Sequence, residues 1–327
     1  MRRRTRWTLA LLVLAIIVTC AIACVSLGAV SIPLSKLAGY LVHGVTDDPG
    51  SVIFWQIRVP RVILAFLVGA FLSVAGTLLQ SVLLNPLTDP YVTGVSSGAG
   101  LGAVLGIVSG VPAMPWVSVL ALAGGGATLA TVYSLGHRKG RLNIYVLLLA
   151  GVSISNLFAA AISLIMIASS KDIHAVLYWL LGSFSGRSWP AVRIALLATP
   201  FLVVPFFFTR ELNIMLLGEE RALELGVEVE RVKKVMFGVA AVLTAVAVSV
   251  SGIIGFIGLV IPHLCRLIVG PDHRRVVPLS LCLGACVMGL SDLISRTILA
   301  PAEIPVGIVT TFLGAPLFIH LLRRRRA

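Results

Sequence analysis

Long apolar runs, separated by short segments rich in proline, glycine and charge, dominate this sequence. A helix needs about 20 apolar residues to cross a bilayer, and about ten of the runs are close to that length. They cover residues 7–30, 58–82, 91–109, 115–136, 142–168, 189–208, 232–252, 254–269, 276–296 and 304–322. Hydrophobic residues make up 58% of the chain and charged residues 12%, about half the charge of a soluble domain. The sequence therefore predicts an all-α polytopic membrane protein, with one transmembrane domain over 1–327, and excludes a soluble enzyme.

The first apolar run follows a basic start, Arg2 to Arg6, which is also how a signal peptide begins. The run from Trp7 to Val30 is longer than the roughly 7–15 residues of a signal-peptide core, and no clear small-residue cleavage site ends it. We therefore expect a retained first transmembrane span.

The excess of basic residues has a membrane explanation. The net charge is +13, from 26 Lys and Arg against 13 Asp and Glu. With an even number of spans both termini share one side, and cytoplasmic termini put most Lys and Arg inside, as the positive-inside rule requires. The basic residues then left outside are Lys36, Arg58, Arg61, Lys171, Arg187, Arg193 and Arg296. We predict a multi-pass protein of the cytoplasmic (inner) membrane with cytoplasmic termini and no nucleic-acid partner.

Two short segments indicate an inverted repeat. Residues 73–76 (Ser-Val-Ala-Gly) and 249–252 (Ser-Val-Ser-Gly) are followed at the same spacing by Pro86 and Pro262. The second and seventh spans, which contain these segments, run in opposite directions, as in the inverted-topology repeats of transporters. The match favours transport over membrane-bound chemistry.

Glycine recurs at every fourth residue of the third span, including Gly94, Gly98 and Gly102. This spacing puts the glycines on one helix face, where a neighbouring backbone can approach closely. Two interpretations stay open. The face either packs tightly against another helix, or lines a wide pathway and slides during gating.

The predicted cytoplasmic loop 209–231 differs from the other loops because acidic and basic residues are mixed in it. A segment bracketed by glycines predicts a short helix with a glycine stop. Its residues are Gly218, Glu219, Glu220, Arg221, Ala222, Leu223, Glu224, Leu225 and Gly226. We interpret it as a docking element for a cytoplasmic protein, with Ala222 and Leu225 facing the partner, rather than as a solvated loop helix.

Three arginines on the predicted outside, Arg58, Arg61 and Arg296, break the charge bias. Their side chains either extend to lipid headgroups or form an exposed basic rim that pairs with carboxylates of an extracytoplasmic partner. Arginine suits the second role because its guanidinium binds a carboxylate through two hydrogen bonds.

The sequence carries no catalytic or nucleotide-binding motif. G-x-x-x-x-G-K-[ST], H-E-x-x-H and G-x-S-x-G are all absent, so ATP-driven work requires another chain. The five cysteines lie in apolar stretches without a C-x-x-C pair, which predicts packing residues rather than a metal site. No charged residue falls at the centre of a span, which counts against an ion-coupled secondary transporter without an ATPase. That transporter, and a membrane-embedded enzyme or structural subunit, stay open as alternatives.

Several short motifs follow one another along nearly the whole chain. They are Arg58-Val59-Pro60-Arg61, Gly69-Ala70 with Gln80, Asn85-Pro86-Leu87 with Ser97-Gly98-Ala99, Leu217-Gly218-Glu219 with Leu225-Gly226-Val227, Gly252 through His263, Asp272-His273-Arg274-Arg275, and Pro305 through Thr310 with Gly314-Ala315-Pro316. In this order the set resembles the FecCD family, the permease subunits of type II ABC importers. That family includes permeases for cobalamin, ferric siderophores and haem.

The resemblance implies a ten-helix permease fold and a second permease chain, as a homodimer or occasionally a pseudo-dimer around a central pathway. It implies two ATP-binding subunits, which hold ATP and Mg, on the cytoplasmic face and a substrate-binding protein outside. The chain itself would hold no cofactor. The expected function is the membrane-spanning subunit of an ATP-driven importer for a ferric siderophore, haem or a corrinoid.

The resemblance also implies residue roles. Arg58, Arg61 and Arg296 correspond to basic residues that meet acidic residues of the binding protein, and 218–226 to the segment that enters the ATPase cleft. Asn143 and Ile144 fall in the family's cytoplasmic gate region, without the small hydroxyl residues of the cobalamin permease. The remaining residues assigned to the gate and pathway are Asn85, Gly94, Gly98 and Gly102.

Overall fold

The structure is a computed structural model that describes residues 3–28, 32–112, 115–138, 141–169 and 173–324. Five basic residues of the predicted charge pattern lie outside the described residues: Arg2, Lys139, Lys171, Arg325 and Arg326. Within those ranges the chain is almost entirely helical, as the sequence predicts. The α-helices are α1 (Arg3–Ser26), α2 (Leu34–His43), α3 (Pro49–Val52), α4 (Val59–Val82), α5 (Val95–Val108), α6 (Trp116–Gly136), α7 (Ile144–Ala168), α8 (Ile173–Leu180), α9 (Trp189–Leu196), α10 (Val204–Phe207), α11 (Thr209–Met215), α12 (Glu219–Glu224), α13 (Val229–Ser251), α14 (Ile257–Val269), α15 (His273–Ser295) and α16 (Val306–Arg324).

Other elements are short. A π-helix, Ile53–Arg58, joins α3 to α4, and 3-10 helices occupy Pro90–Thr93 and Thr199–Leu202. Residues His137–Arg138 (β1) and Arg141–Leu142 (β2) pair as an antiparallel hairpin between α6 and α7. The hairpin turns the chain back, so that α6 and α7 lie side by side.

Five of the described helices are long and apolar enough to cross a bilayer: α6, α7, α13, α15, and α4 together with the short helices before it (Pro49–Val82). A further pair, Trp189–Leu196 and Thr199–Phe207, is bent by 47°. Shorter apolar helices occupy Val13–Ser26, Val95–Val108, Ile257–Val269 and Val306–Leu321. Each predicted span contains one of these segments, and the number of complete crossings stays a prediction.

Three predicted spans differ from the structure. α5 has 14 residues and α14 has 13, so each is about 20 Å long, less than the roughly 30 Å of a hydrocarbon core. α14 begins at Ile257 rather than at 254 because Gly252 and Phe256 have positive φ, which ends α13 and delays the next helix. The predicted span 189–208 is broken because Pro200 starts a 3-10 turn where α9 would have to continue.

α4 is the central helix of the bundle. It packs against α13, α14 and α15, and 83% of its apolar window is buried. Gly69 lies against the backbone of Gly284 in α15 and Gly76 against that of Gly258 in α14, and a Cβ at either position would overlap a carbonyl group. Glycine thus permits the close backbone approach that membrane helices use for packing.

α7 lies at the other extreme. Only 11% of its apolar window is buried inside the described chain. The bundle therefore has a tightly packed centre around α4 and one long apolar helix with little cover from the rest of the chain.

Candidate functional site

Clusters of polar residues lie at both ends of the helix pair α4 and α15. At one end Arg61 of α4 contacts Asp292 of α15, and at the other Ser81 of α4 contacts His273 of α15. The two helices are therefore antiparallel. We name the first the α2 end, because α2 lies beside the start of α4 there, and the second the α12 end, because α12 follows α11, whose Asn213 contacts His273.

At the α2 end Arg61 is the centre of a buried ion cluster. Its Nε and Nη2 donate to the Asp292 carboxylate at 3.0 and 2.9 Å, and its Nη1 donates to Glu303 at 2.8 Å. The side chains of Arg61 and Asp292 are 7% and 1% exposed. A buried charge is stable only with an opposite charge and satisfied hydrogen bonds, and both are present here.

The other two arginines of this end hold the last turn of α1. Arg58 Nη1 donates to the carbonyl oxygens of Val25 and Ser26 at 2.7 and 2.8 Å. Arg296 donates to the carbonyl oxygen of Cys24. The last carbonyls of a helix have no partner within it, and a cation at this end is also favoured by the helix dipole.

The predicted exposed rim is therefore wrong. Arg58, Arg61 and Arg296 are all buried. No local sequence pattern indicates this burial, because Asp292 and the end of α1 become neighbours of the three arginines only through the fold. Glu303, whose side chain is 32% exposed, is the member of the cluster nearest to the surface.

At the α12 end the glycine-bracketed segment forms the predicted short helix. Gly218 and Gly226 both have positive φ, and α12 lies between them. Its charged side chains are exposed: Glu219, Glu220, Arg221 and Glu224. Leu223 and Leu225 are exposed as well, at 60% and 59%. This pattern leaves a surface of mixed charge and apolar groups.

One part of that prediction is wrong. Ala222 is fully buried and packs in the core of the chain rather than facing outward. α12 is also held by Lys233 of α13, a buried side chain whose Nζ lies 2.6 Å from the Glu219 carboxylate. Ala222 and Lys233 thus fix the orientation in which α12 presents its exposed side.

A polar network that the sequence analysis missed lies behind α12. His273 Nε2 lies 2.5 Å from Ser81 Oγ, and its Nδ1 lies 2.9 Å from Asn213 Oδ1. Asn213 Nδ2 donates to Asp272 at 2.7 Å. The network joins α11 to α4 and α15, so that α12 is connected to the centre of the bundle. Polar residues at the ends of apolar runs were the available signal.

The glycines assigned to the pathway have packing roles in this chain. A Cβ on Gly98 would overlap Thr128 and Gly124 of α6, and one on Gly102 would overlap the carbonyl of Leu120. Gly94 has positive φ and lies against Gly151 of α7. These contacts support the packing interpretation, and a role in a pathway stays a prediction.

The residues assigned to the gate have local roles. The Asn143 side chain accepts a hydrogen bond from the Val146 N–H at 3.2 Å and caps α7, and Ile144 is the first residue of that helix. The Asn85 side chain accepts from the Leu87 N–H at 2.9 Å in the turn after α4. Within the described residues, no group of His, Cys, Asp or Glu could hold a metal ion.

The described residues thus form a helical bundle that packs around one glycine-bearing helix and has a short exposed helix at one end. The FecCD transport family model matches residues 12–324, and the chain belongs to this family. It is similar to the cobalamin import system permease protein BtuC of Halobacterium salinarum, with 41% identity over 88% of this chain and 78% of the relative.

The names of two further relatives give other substrates. The chain is 37% identical to the hemin transport system permease protein HmuU of Yersinia pestis, over 96% of this chain and 94% of the relative. It is 36% identical to the Fe(3+) dicitrate transport system permease protein FecD of Escherichia coli K12, over 94% and 95%. All three are permeases, and their names differ in the substrate.

Solved structures agree on the fold. An inward-facing metal-chelate type ABC transporter superposes with a TM-score of 0.84, at 30% identity, over 97% of this chain and 99% of that chain. PsaBC of Streptococcus pneumoniae superposes with a TM-score of 0.56 at 17% identity, over 86% and 94%, which shows the fold alone. The chain thus has the type II ABC importer permease fold and works with other ABC transporter subunits.

Proposed function

We propose that this permease is the membrane-spanning subunit of an ATP-driven importer for a metal chelate, namely a ferric siderophore, haem or a corrinoid. The observation that carries the proposal is the FecCD match over residues 12–324 together with the fold of a metal-chelate type transporter. The relatives named above, for cobalamin, hemin and ferric dicitrate, give the range of cargo.

The pathway would lie between two copies of this chain. α7 supports this, because it has little cover and exposes the polar residues Ser153 and Asn156 on a membrane helix. Polar side chains in a membrane helix usually face a neighbouring helix or water rather than lipid. A second chain at α7 would provide that environment.

The energy would come from two ATP-binding subunits at the α12 end, which is then the cytoplasmic end and the side of both termini in the cytoplasmic membrane. The chain has no P-loop, so ATP and Mg would be held by those subunits. The exposed surface of α12 has charged groups and two exposed leucines. A protein interface has polar groups at its rim and apolar groups at its core, so this surface suits a docking site.

A substrate-binding protein would dock at the α2 end, outside the membrane. Arg58, Arg61 and Arg296 would not touch the binding protein. They would support the docking surface by fixing the ends of α1, α4 and α15. Glu303 is the part of the cluster that a partner reaches first.

The test is isotope uptake in a strain of the native host that lacks this chain. Cells receive ⁵⁵Fe-citrate, ⁵⁵Fe-hemin or ⁵⁷Co-cobalamin, with either arsenate to deplete ATP or a protonophore. We expect loss of one uptake activity, its restoration by the wild-type chain, and sensitivity to arsenate. No loss with any of the three cargoes would refute the cargo class. Uptake that only the protonophore stops would favour an ion-coupled transporter.

A further inference from the structure

A cavity of about 430 Å³ opens beside the ion cluster of the α2 end. It lies between the α5–α6 connection, α8 and the segment that follows α8. Its wall is apolar on one side and carries polar and aromatic groups on the other. The lining residues used below are Ile107, Val117, Tyr178, Trp179, Ser183 and Arg187. Tyr178 OH donates to the backbone carbonyl of Glu303 at 2.8 Å, which places the cavity next to Arg61.

Arg187 is the unusual group in this wall. Its Nε is buried and has no hydrogen-bond partner, and none of the ion pairs in the described chain includes it. Burial lowers the pKa of the Arg187 guanidinium to about 10, because the cation has lost water without gaining an anion. A partly buried cation without a counter-charge costs free energy that an incoming anion would recover.

The carboxylates of the neighbouring ion cluster are already paired with other arginines. Asp292 and Glu303, the acidic groups of the ion cluster, are both paired with Arg61, and Asp292 also lies 3.6 Å from Arg296. Within the described residues, Arg187 therefore has no acidic partner in this cluster.

Trp179 supplies a second donor to the same wall. It is 6% exposed, and its indole Nε1 is buried without a partner. A buried tryptophan N–H normally finds an acceptor, so two donors in one wall lack acceptors. Both donors belong to residues that line the cavity.

The segment that carries Arg187 is fixed rather than loose. Gly182 and Gly186 have positive φ and form its turns. The Ser183 N–H donates to the Ser251 carbonyl at 2.7 Å, and the Arg187 N–H donates to the Phe184 carbonyl at 3.1 Å. The backbone that carries Arg187 is thus held in place before any ligand arrives, which lowers the entropic cost of binding.

We propose that this cavity is a binding site for a carboxylate group of the transported chelate, with Arg187 as its counter-ion and Trp179 as a second donor. The inference rests on the proposed function. A guanidinium binds a carboxylate through two parallel hydrogen bonds, and the apolar wall at Ile107 and Val117 would contact the uncharged part of the ligand. The site therefore favours iron chelates with free carboxylates over corrinoids such as cobalamin, which have amides in place of free carboxylates.

The experiment is equilibrium binding of ⁵⁵Fe-citrate and ⁵⁷Co-cyanocobalamin to the full permease complex in lipid nanodiscs. We expect saturable ferric citrate binding that Arg187→Gln weakens by at least about tenfold, the effect of losing a charge-assisted hydrogen-bonded pair. Arg187→Lys keeps the positive charge but loses the paired donors of the guanidinium, so its affinity for ferric citrate should lie between those of the wild type and Arg187→Gln. Cyanocobalamin binding should not change with Arg187→Gln.

Arg193→Gln is the matched control, because Arg193 lies nearby in α9 but is exposed. It should leave ferric citrate binding within about twofold of wild type, as expected for an exposed charge. Absence of saturable ferric citrate binding, or equal losses with Arg187→Gln and Arg193→Gln, would overturn the inference. If the same complex still hydrolyses ATP, the proposed function stands while the carboxylate site is rejected.

Discussion

The α2 end and the α12 end both carry many charges, but the two ends differ in whether those charged side chains are buried or exposed. At the α2 end Arg58, Arg61 and Arg296 are buried and hold helices together. At the α12 end Glu220 and Glu224 are exposed and bond to nothing that fixes the chain. The buried arginines therefore stabilise the fold at the α2 end, while the exposed charges of α12 remain available for a partner at the other end.

The sequence analysis interpreted charged residues at both ends as surfaces for a partner protein. The structure has the predicted exposed charges only at the α12 end. A charged segment in an apolar sequence indicates either an ion pair inside the fold or a surface for another protein. Glycines at 218 and 226 mark the second case, since both have positive φ and set α12 off from the helices before and after it. No comparable break surrounds Arg61.

The largest expected effect comes from breaking the α2 end. Asp292→Asn removes the charge shared by Arg61 and Arg296 and leaves buried guanidiniums under-compensated, so we expect a loss of about 3–5 kcal/mol in unfolding free energy. Thermal unfolding of the detergent-solubilised chain measures it. Asp47→Asn, at an exposed position of the same end, is the control. Equal unfolding midpoints for the two variants would show that the cluster does not stabilise the fold.

A second prediction concerns helix packing between the ends. Gly102→Ala would push a methyl group into the Leu120 carbonyl and should cost about 1–3 kcal/mol. Gly126→Ala, on α6 with open space at its Cβ, should be neutral or stabilising by up to about 1 kcal/mol. The same thermal assay compares them. If Gly102→Ala is as stable as Gly126→Ala, then α5 and α6 are not in close contact.

A smaller effect is expected at the start of α7. Asn143→Ala removes the side-chain cap of the Val146 N–H and should cost about 1 kcal/mol. Asn143→Ser, which keeps a capping oxygen, should recover most of the loss. A gate role predicts a different result, in which Asn143→Ala changes the uptake rate at unchanged stability.

The smallest effect on stability is expected where the charges are exposed. Glu220→Gln with Glu224→Gln should change the unfolding free energy by less than about 0.5 kcal/mol, as for most surface substitutions. The same variant should lower the amount of ATP-binding subunit that co-purifies. A large loss of stability here would remove the difference between the two ends.

The sequence predicted the helical class and the approximate position of every apolar segment, because bilayer length and composition alone determine these. It did not predict that α14 begins late, since that depends on the positive φ of Phe256, a residue type that rarely adopts it. It placed Ala222 on the partner side, because a six-residue helix has too few turns for its buried face to be read from spacing.

Long-range neighbours account for the other failures. Arg61 and Asp292 are 231 positions apart, and Ser81 and His273 are 192 apart. No local pattern shows that such residues meet. The same limit hid Arg187, whose lack of a counter-ion is visible only when its neighbours are known.

The central claim is that the α12 end receives an ATP-binding subunit. The most direct measurement is affinity purification of the tagged chain from native membranes in mild detergent, with quantitative mass spectrometry and an ATP hydrolysis assay. The account predicts an ATP-binding subunit in equal amount to the permease and ATP hydrolysis. Both should be lost when residues 219–224 are scrambled and kept with Asp47→Asn. A permease that purifies alone, or whose ATP-binding subunit is unaffected by the scrambled segment, would contradict it.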